Sequence, residues 1–143
     1  MILVVRCKTM IRDHLIPEIK KTFAGWEMAI NPVDNPIVRF AAVQKEVGDV
    51  LIYDDGDEAT VYVENISHGH FNPYDETITQ EQREIVVTED VLSFLQALFA
   101  DRVLLHTAPG HRMGGWTRLD LHDGPVELSP GQRYYLWSRP YEA

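Results

Sequence analysis

Two histidines one residue apart, His68-Gly-His70, begin the densest run of chemically capable side chains in this sequence. Phe71, Asn72, Tyr74 and Asp75 follow at once. On an extended strand, residues i and i+2 point to the same side, so His68 and His70 are placed to grip one divalent metal such as zinc. A zinc ion needs three or four ligands, at roughly 2.0–2.2 Å for N and O donors. His106, at the end of an apolar run, and His111, in a glycine-containing stretch, are the residues that would complete the set. Four histidines meeting at one sheet end would make a metal-dependent hydrolase or a small-ligand site. The competing use is packing, with the pair bonding to backbone beside Phe71 and Tyr74. No His-Glu-x-x-His helix reinforces the spacing, so packing without a cofactor is the first expectation and a metal the alternative.

The acidic turn Asp54-Asp55-Gly56-Asp57-Glu58 is the second candidate. It lacks the ligand spacing and the closing glutamate of a calcium loop, and Asp-Gly is a strong hairpin signal. Its carboxylates are therefore expected on the surface. They belong to a wider imbalance. Residues 46–90 hold thirteen acids against one base, Arg83, a local charge of −12, within a chain of net charge −9. A solvated acidic face would serve solubility. A docking face would steer a basic protein partner, because complementary charge speeds encounter. Phosphate backbones would be repelled, so nucleic acid is not expected. Asp54, Asp55, Asp57 and Glu58 are the expected partner-binding residues, joined by Tyr135 and Trp137. Those two rings share one face of a final strand flanked by Arg133 and Arg139, and Tyr, Trp and Arg are common interface anchors. Covering a helix as core is the stronger use of the same two rings.

Nucleophilic catalysis has little support. Cys7 ends an apolar run and reads as a small core residue. Ser67 and His68 are strand neighbours that point apart, and Gly-x-Ser-x-Gly does not occur. The stretch Pro109–Trp116 has the glycines and Arg112 of an anion cradle, but not the spacing of a P-loop.

These residues need elements to position them. Ile2–Cys7 reads as a strand buried on both faces. Ile11, Leu15, Ile19 and Phe23 form a helical stripe, with Thr9 as its N-cap and Pro17 either bending the helix or starting another. Ile37–Val43, Val50–Tyr53 and Thr60–Ile66 read as strands, and Trp26–Ile30 as a further one. Ser67–Thr77 reads as irregular. Thr79 to Gln82 is a capping-box pattern for a short helix over Gln80–Glu84. Thr88, followed by Glu89 and Asp90, reads as the cap of a second helix with Val91, Leu92, Leu95, Leu98 and Phe99 on its apolar face. Val103–Thr107, Trp116–Leu121 and Arg133–Arg139 complete the strands. Helices do not alternate strictly with strands, so the expected class is α+β: a mostly antiparallel sheet of about six or seven strands with two main helices packed on it.

Length and composition agree with one globular domain over 1–143, since 45% of the residues are hydrophobic and 24% charged. One cysteine forms no internal disulfide and no cysteine-based zinc finger. No apolar run is long enough to cross a bilayer, and the first residues lack the basic lead of a signal peptide, so a cytoplasmic location is expected. The function expected from these features is a non-catalytic protein-interaction module. An inhibitor or immunity-type protein directed at a basic enzyme is one form of it.

Overall fold

The computed structural model describes residues 8–108, 110 and 113–142. The expected strand Ile2–Cys7 and the metal candidate His111 lie outside these residues. The described residues are α+β, with two helices and eight strands in two antiparallel sheets of five and three strands. The expected class and pairing hold, and the strands divide between two sheets.

Helix α1 spans Ile11–Thr22. Its stripe is as periodic as the sequence implies: Ile11, Leu15 and Ile19 are fully buried, and Phe23 nearly so. The cap differs from expectation. Asp13 Oδ2 accepts from the Met10 amide at 2.7 Å while the Asp13 amide bonds the Met10 carbonyl. Thr9 is drawn away because its hydroxyl donates to Glu84 Oε1 at 2.6 Å. Pro17 lies inside one unbroken helix.

Five strands then form a meander: β1 (Met28–Ile30), β2 (Val38–Phe40), β3 (Val50–Asp54), β4 (Ala59–Val63) and β5 (Ser67–Phe71), paired in that order. Strand periodicity sorts their side chains. Val38, Phe40, Val50, Ile52, Val61 and Val63 fill the core face. Leu51, Tyr53, Tyr62, His68 and His70 alternate with them onto the other face. β5 replaces the irregular segment expected from the sequence. Ser-His-Gly-His carries no apolar alternation, and pairing with β4 supplies what local sequence does not.

Helix α2 runs unbroken over Gln80–Phe99, in place of the two helices expected. The capping box is formed, with Thr79 and Gln82 bonding each other's amides at 3.1 and 2.8 Å. Thr88 is a buried mid-helix residue whose hydroxyl donates to the Glu84 carbonyl at 2.8 Å. Before the helix, the Thr77 hydroxyl and amide hold the Asp75 carboxyl below the usual aspartate range. Val87, Val91, Phe94, Leu95 and Leu98 bury the helix against sheet and neighbours.

The second sheet has the order β7-β6-β8, from β6 (Val103–His106), β7 (Gly115–Arg118) and β8 (Tyr134–Tyr135). Several contacts join it to the rest of the described residues. The Trp116 ring lies on Phe94 at a centroid distance of 4.8 Å, and also over Gly69. The Gly114 amide donates to the Ile66 carbonyl at 2.8 Å. Gln44 Nε2 donates to the carbonyls of Leu136 and Trp137 at 2.8 and 3.0 Å. An edge-on cluster of Phe23, Phe40, Phe99 and Trp137 ties both helix ends and the C-terminal segment together, and such pairs add about 0.5–1.5 kcal/mol each beyond burial. None of the described helices is long and apolar enough to cross a membrane.

Candidate functional site

The outer face of β4 and β5 holds the first histidine pair. His68 and His70 do share a face, with ring centroids 5.1 Å apart, and His68 stacks on Tyr62 at 5.1 Å. Gly69 between them faces the core, where Trp116 covers it. His106 sits elsewhere. Leu105, its strand neighbour, belongs to the core with Trp116, so His106 projects from the opposite face of the second sheet, beside Gly115 and Tyr134. Among the described residues, no three His, Cys, Asp or Glu side chains gather as a metal site would require. The expected convergence of His68, His70 and His106 is therefore corrected. Strand alternation puts the pair and the third histidine on separate surfaces.

A short relay surrounds His70. Thr60 Oγ1 donates to Asp55 Oδ2 at 2.5 Å and lies 3.1 Å from His70 Nδ1, with Glu58 Oε2 2.9 Å from the same nitrogen. With the threonine proton given to Asp55, the consistent tautomer has His70 Nδ1–H donating to Thr60. Thr60 is only 2% exposed, and its proton and a lone pair are both committed. The relay anchors the acidic turn to β5 and leaves no hydroxyl open to a substrate.

The acidic turn itself splits. Asp55 and Asp57 are exposed as expected, and Glu58 is half-buried beside His70. Asp54 is corrected from a surface charge to an internal one. Its side chain is fully buried, accepting from Arg12 Nε at 2.9 Å, the Arg12 amide at 3.2 Å and the Gly56 amide at 3.0 Å. Asn35 bonds its backbone on both sides. An Asp at the end of a strand whose alternate residues face the core is carried inward with them. Tyr135 and Trp137 are corrected likewise. They are 8% and 4% exposed and belong to the core cluster, so neither ring offers an interface.

Sequence reasoning passed over a furrow between the two helices. It measures about 460 Å³ and is lined by Asp13, His14, Pro17 and Glu18 of α1 and by Ile85, Thr88, Glu89 and Leu92 of α2. These are two i, i+3, i+4 ridges facing each other. Ile85 remains 41% exposed. Beside the furrow lies Glu84, fully buried and held by Thr9 and by Gln80 Nε2 at 3.2 Å, while His14 Nε2 lies 3.3 Å from Oε1 without a hydrogen bond to it. The spacing of 13, 14, 17 and 18 against 85, 88, 89 and 92 was present in the sequence. Its meaning depends on the two helices packing side by side, which no local pattern states.

No model of a protein family, no curated protein and no solved structure matches the chain.

Proposed function

We propose that this chain is a binding protein that docks a basic protein partner through its acidic surface. One observation carries the reading. Of the thirteen acids in residues 46–90, Glu46, Asp55, Asp57, Glu64, Glu76, Glu81, Glu89 and Asp90 are exposed, and none of these eight has a Lys or Arg ion-pair partner among the described residues. The one base in the segment, Arg83, is occupied by Asn72 Oδ1 and the Asp75 carbonyl, both at 3.0 Å. The acids that do pair with an arginine, Asp49 with Arg39 and Asp54 with Arg12, are the less exposed ones. Unpaired carboxylates on turns and on the first half of α2 make a field that attracts a cationic surface and repels polyphosphates.

The test compares the native chain with the double variant Asp55→Lys, Asp57→Lys as bait in host extract, followed by stopped-flow association with the protein recovered. The recovered protein is expected to be basic. Its k_on should fall steeply with salt while k_off changes little, and the variant should associate more slowly. A recovered partner that is acidic or neutral, or a k_on indifferent to salt and to both substitutions, rejects the reading.

A further inference from the structure

We propose that Asp123-Gly124 is a spontaneous modification site, at which the folded chain converts aspartate to isoaspartate through a cyclic imide. The inference is independent of the docking reading. The sequence holds two Asp-Gly pairs, Asp55-Gly56 and Asp123-Gly124. All four residues are exposed. Both glycines have positive φ, 90° and 75°, and neither has an atom within 4 Å of where a Cβ would stand. Sequence and backbone class therefore do not separate the two pairs. Hydrogen bonding does. In the first pair the reacting groups are held. Thr60 Oγ1 donates to Asp55 Oδ2 at 2.5 Å, and Thr60 is buried. The Gly56 amide donates to Asp54 Oδ1 at 3.0 Å, and the Asp55 amide to the Glu58 carbonyl at 2.9 Å. In the second pair they are free. Among the described residues, neither the Asp123 carboxylate nor the Gly124 amide has a hydrogen-bond or ion-pair partner. The neighbouring bond spares both, since His122 Nδ1 lies 3.1 Å from the Gly124 carbonyl, which takes no part in ring closure.

The reaction is a condensation followed by a hydrolysis. The Gly124 nitrogen attacks Cγ of the protonated Asp123 carboxyl. An N–Cγ bond forms, the Cγ–OH bond breaks, and the hydroxyl leaves as water with the amide proton. Water then opens the five-membered imide. Addition at Cγ breaks the new bond and returns aspartate. Addition at the main-chain carbonyl of Asp123 breaks its bond to nitrogen and leaves isoaspartate, with the chain now routed through the side chain. Nothing is oxidised or reduced, and solvent is the sole co-reactant. Ring closure needs the carboxyl to swing onto the next nitrogen. Asp123 does so without breaking a contact, whereas Asp55 must first leave Thr60. The product has one carboxylate, as the reactant does, so net charge is kept. It adds one backbone atom to the long segment 107–133 between β7 and β8, and loop closure is insensitive to so small an insertion. The modified chain is therefore expected to stay folded.

The full-length chain is incubated in mildly acidic buffer made with H₂¹⁸O, folded in one arm and in urea in the other. Peptide mapping with electron-transfer fragmentation then reads the label and isoaspartate at each pair. In the folded chain, both are expected at Asp123 at least about tenfold faster than at Asp55, the factor that a lost hydrogen bond to a charged group implies. In urea the two pairs should react at similar rates, because their local sequence is the same. Asp123→Glu should remove the modified species from the folded arm with an unchanged melting curve, since the side chain is exposed and unbonded. Equal rates at the two pairs in the folded chain, a persisting difference of the same size in urea, or no label at Asp123 overturns the proposal.

Discussion

Asp54 and Asp57 occupy one turn, three positions apart, and stand in opposite relations to water. The difference follows from strand parity. Asp54 ends β3 on the same face as Val50 and Ile52, so its carboxylate enters the protein, where Arg12 and two amides meet it. Asp57 lies beyond the strand and meets solvent. Removing one member of a buried pair leaves the other charge uncompensated, which costs about 3–5 kcal/mol. Asp54→Ala is expected to lose stability on that scale in a urea titration, because Arg12 is itself mostly covered. Asp57→Lys should stay within about 0.5 kcal/mol of the native chain. Equal effects from the two would mean that the Arg12 contact contributes nothing.

Elements show where the sequence was readable. The α1 stripe and the α2 capping box were legible because their information is local: a four-residue recurrence in one case, a Thr-x-x-Gln pattern in the other. Thr88-Glu-Asp imitates a helix start equally well, yet α2 passes through it. Burial of Val87 and Val91 outweighs the weak helix propensity of Ile85-Val86-Val87. β5 was illegible for the opposite reason, since its residues satisfy no periodicity and its place is set by β4 and Trp116. The histidine pair was found and its third member misplaced, because parity is local while sheet assignment is not. Gly69 exposes that dependence. A Cβ there would come within 2.7 Å of Trp116 Cζ2, and the ring is wedged against Phe94. Gly69→Ala is expected to destabilise by about 1–3 kcal/mol through overpacking, with a change in tryptophan fluorescence. A silent substitution would show that the two sheets are not in tight contact at this point.

For the molecule as a whole, the charge map and the core are nearly independent. Most of the negative charge stays on turns and on the exposed side of α2, while both sheets and both helices share one apolar cluster. Association and stability can therefore be altered separately, and the paired tests above rely on that. The meander order β1-β2-β3-β4-β5 has a different consequence, in time. Every strand of the first sheet pairs with its neighbour in the chain, so contact order there is low and loop closure costs little entropy at each step. The second sheet instead brings β8 back to β6 across the long segment 107–133. Folding should nucleate in the meander, with β8 arriving late. In a chevron experiment, Val61→Ala in β4 is expected mainly to slow folding, and Tyr135→Ala in β8 mainly to speed unfolding. The reverse partition would place the nucleus in the second sheet. On the expected partition, the persistence of the native state depends on the last strand to join, so the molecule's lifetime is adjustable at a place remote from both the acidic turn and the helical furrow.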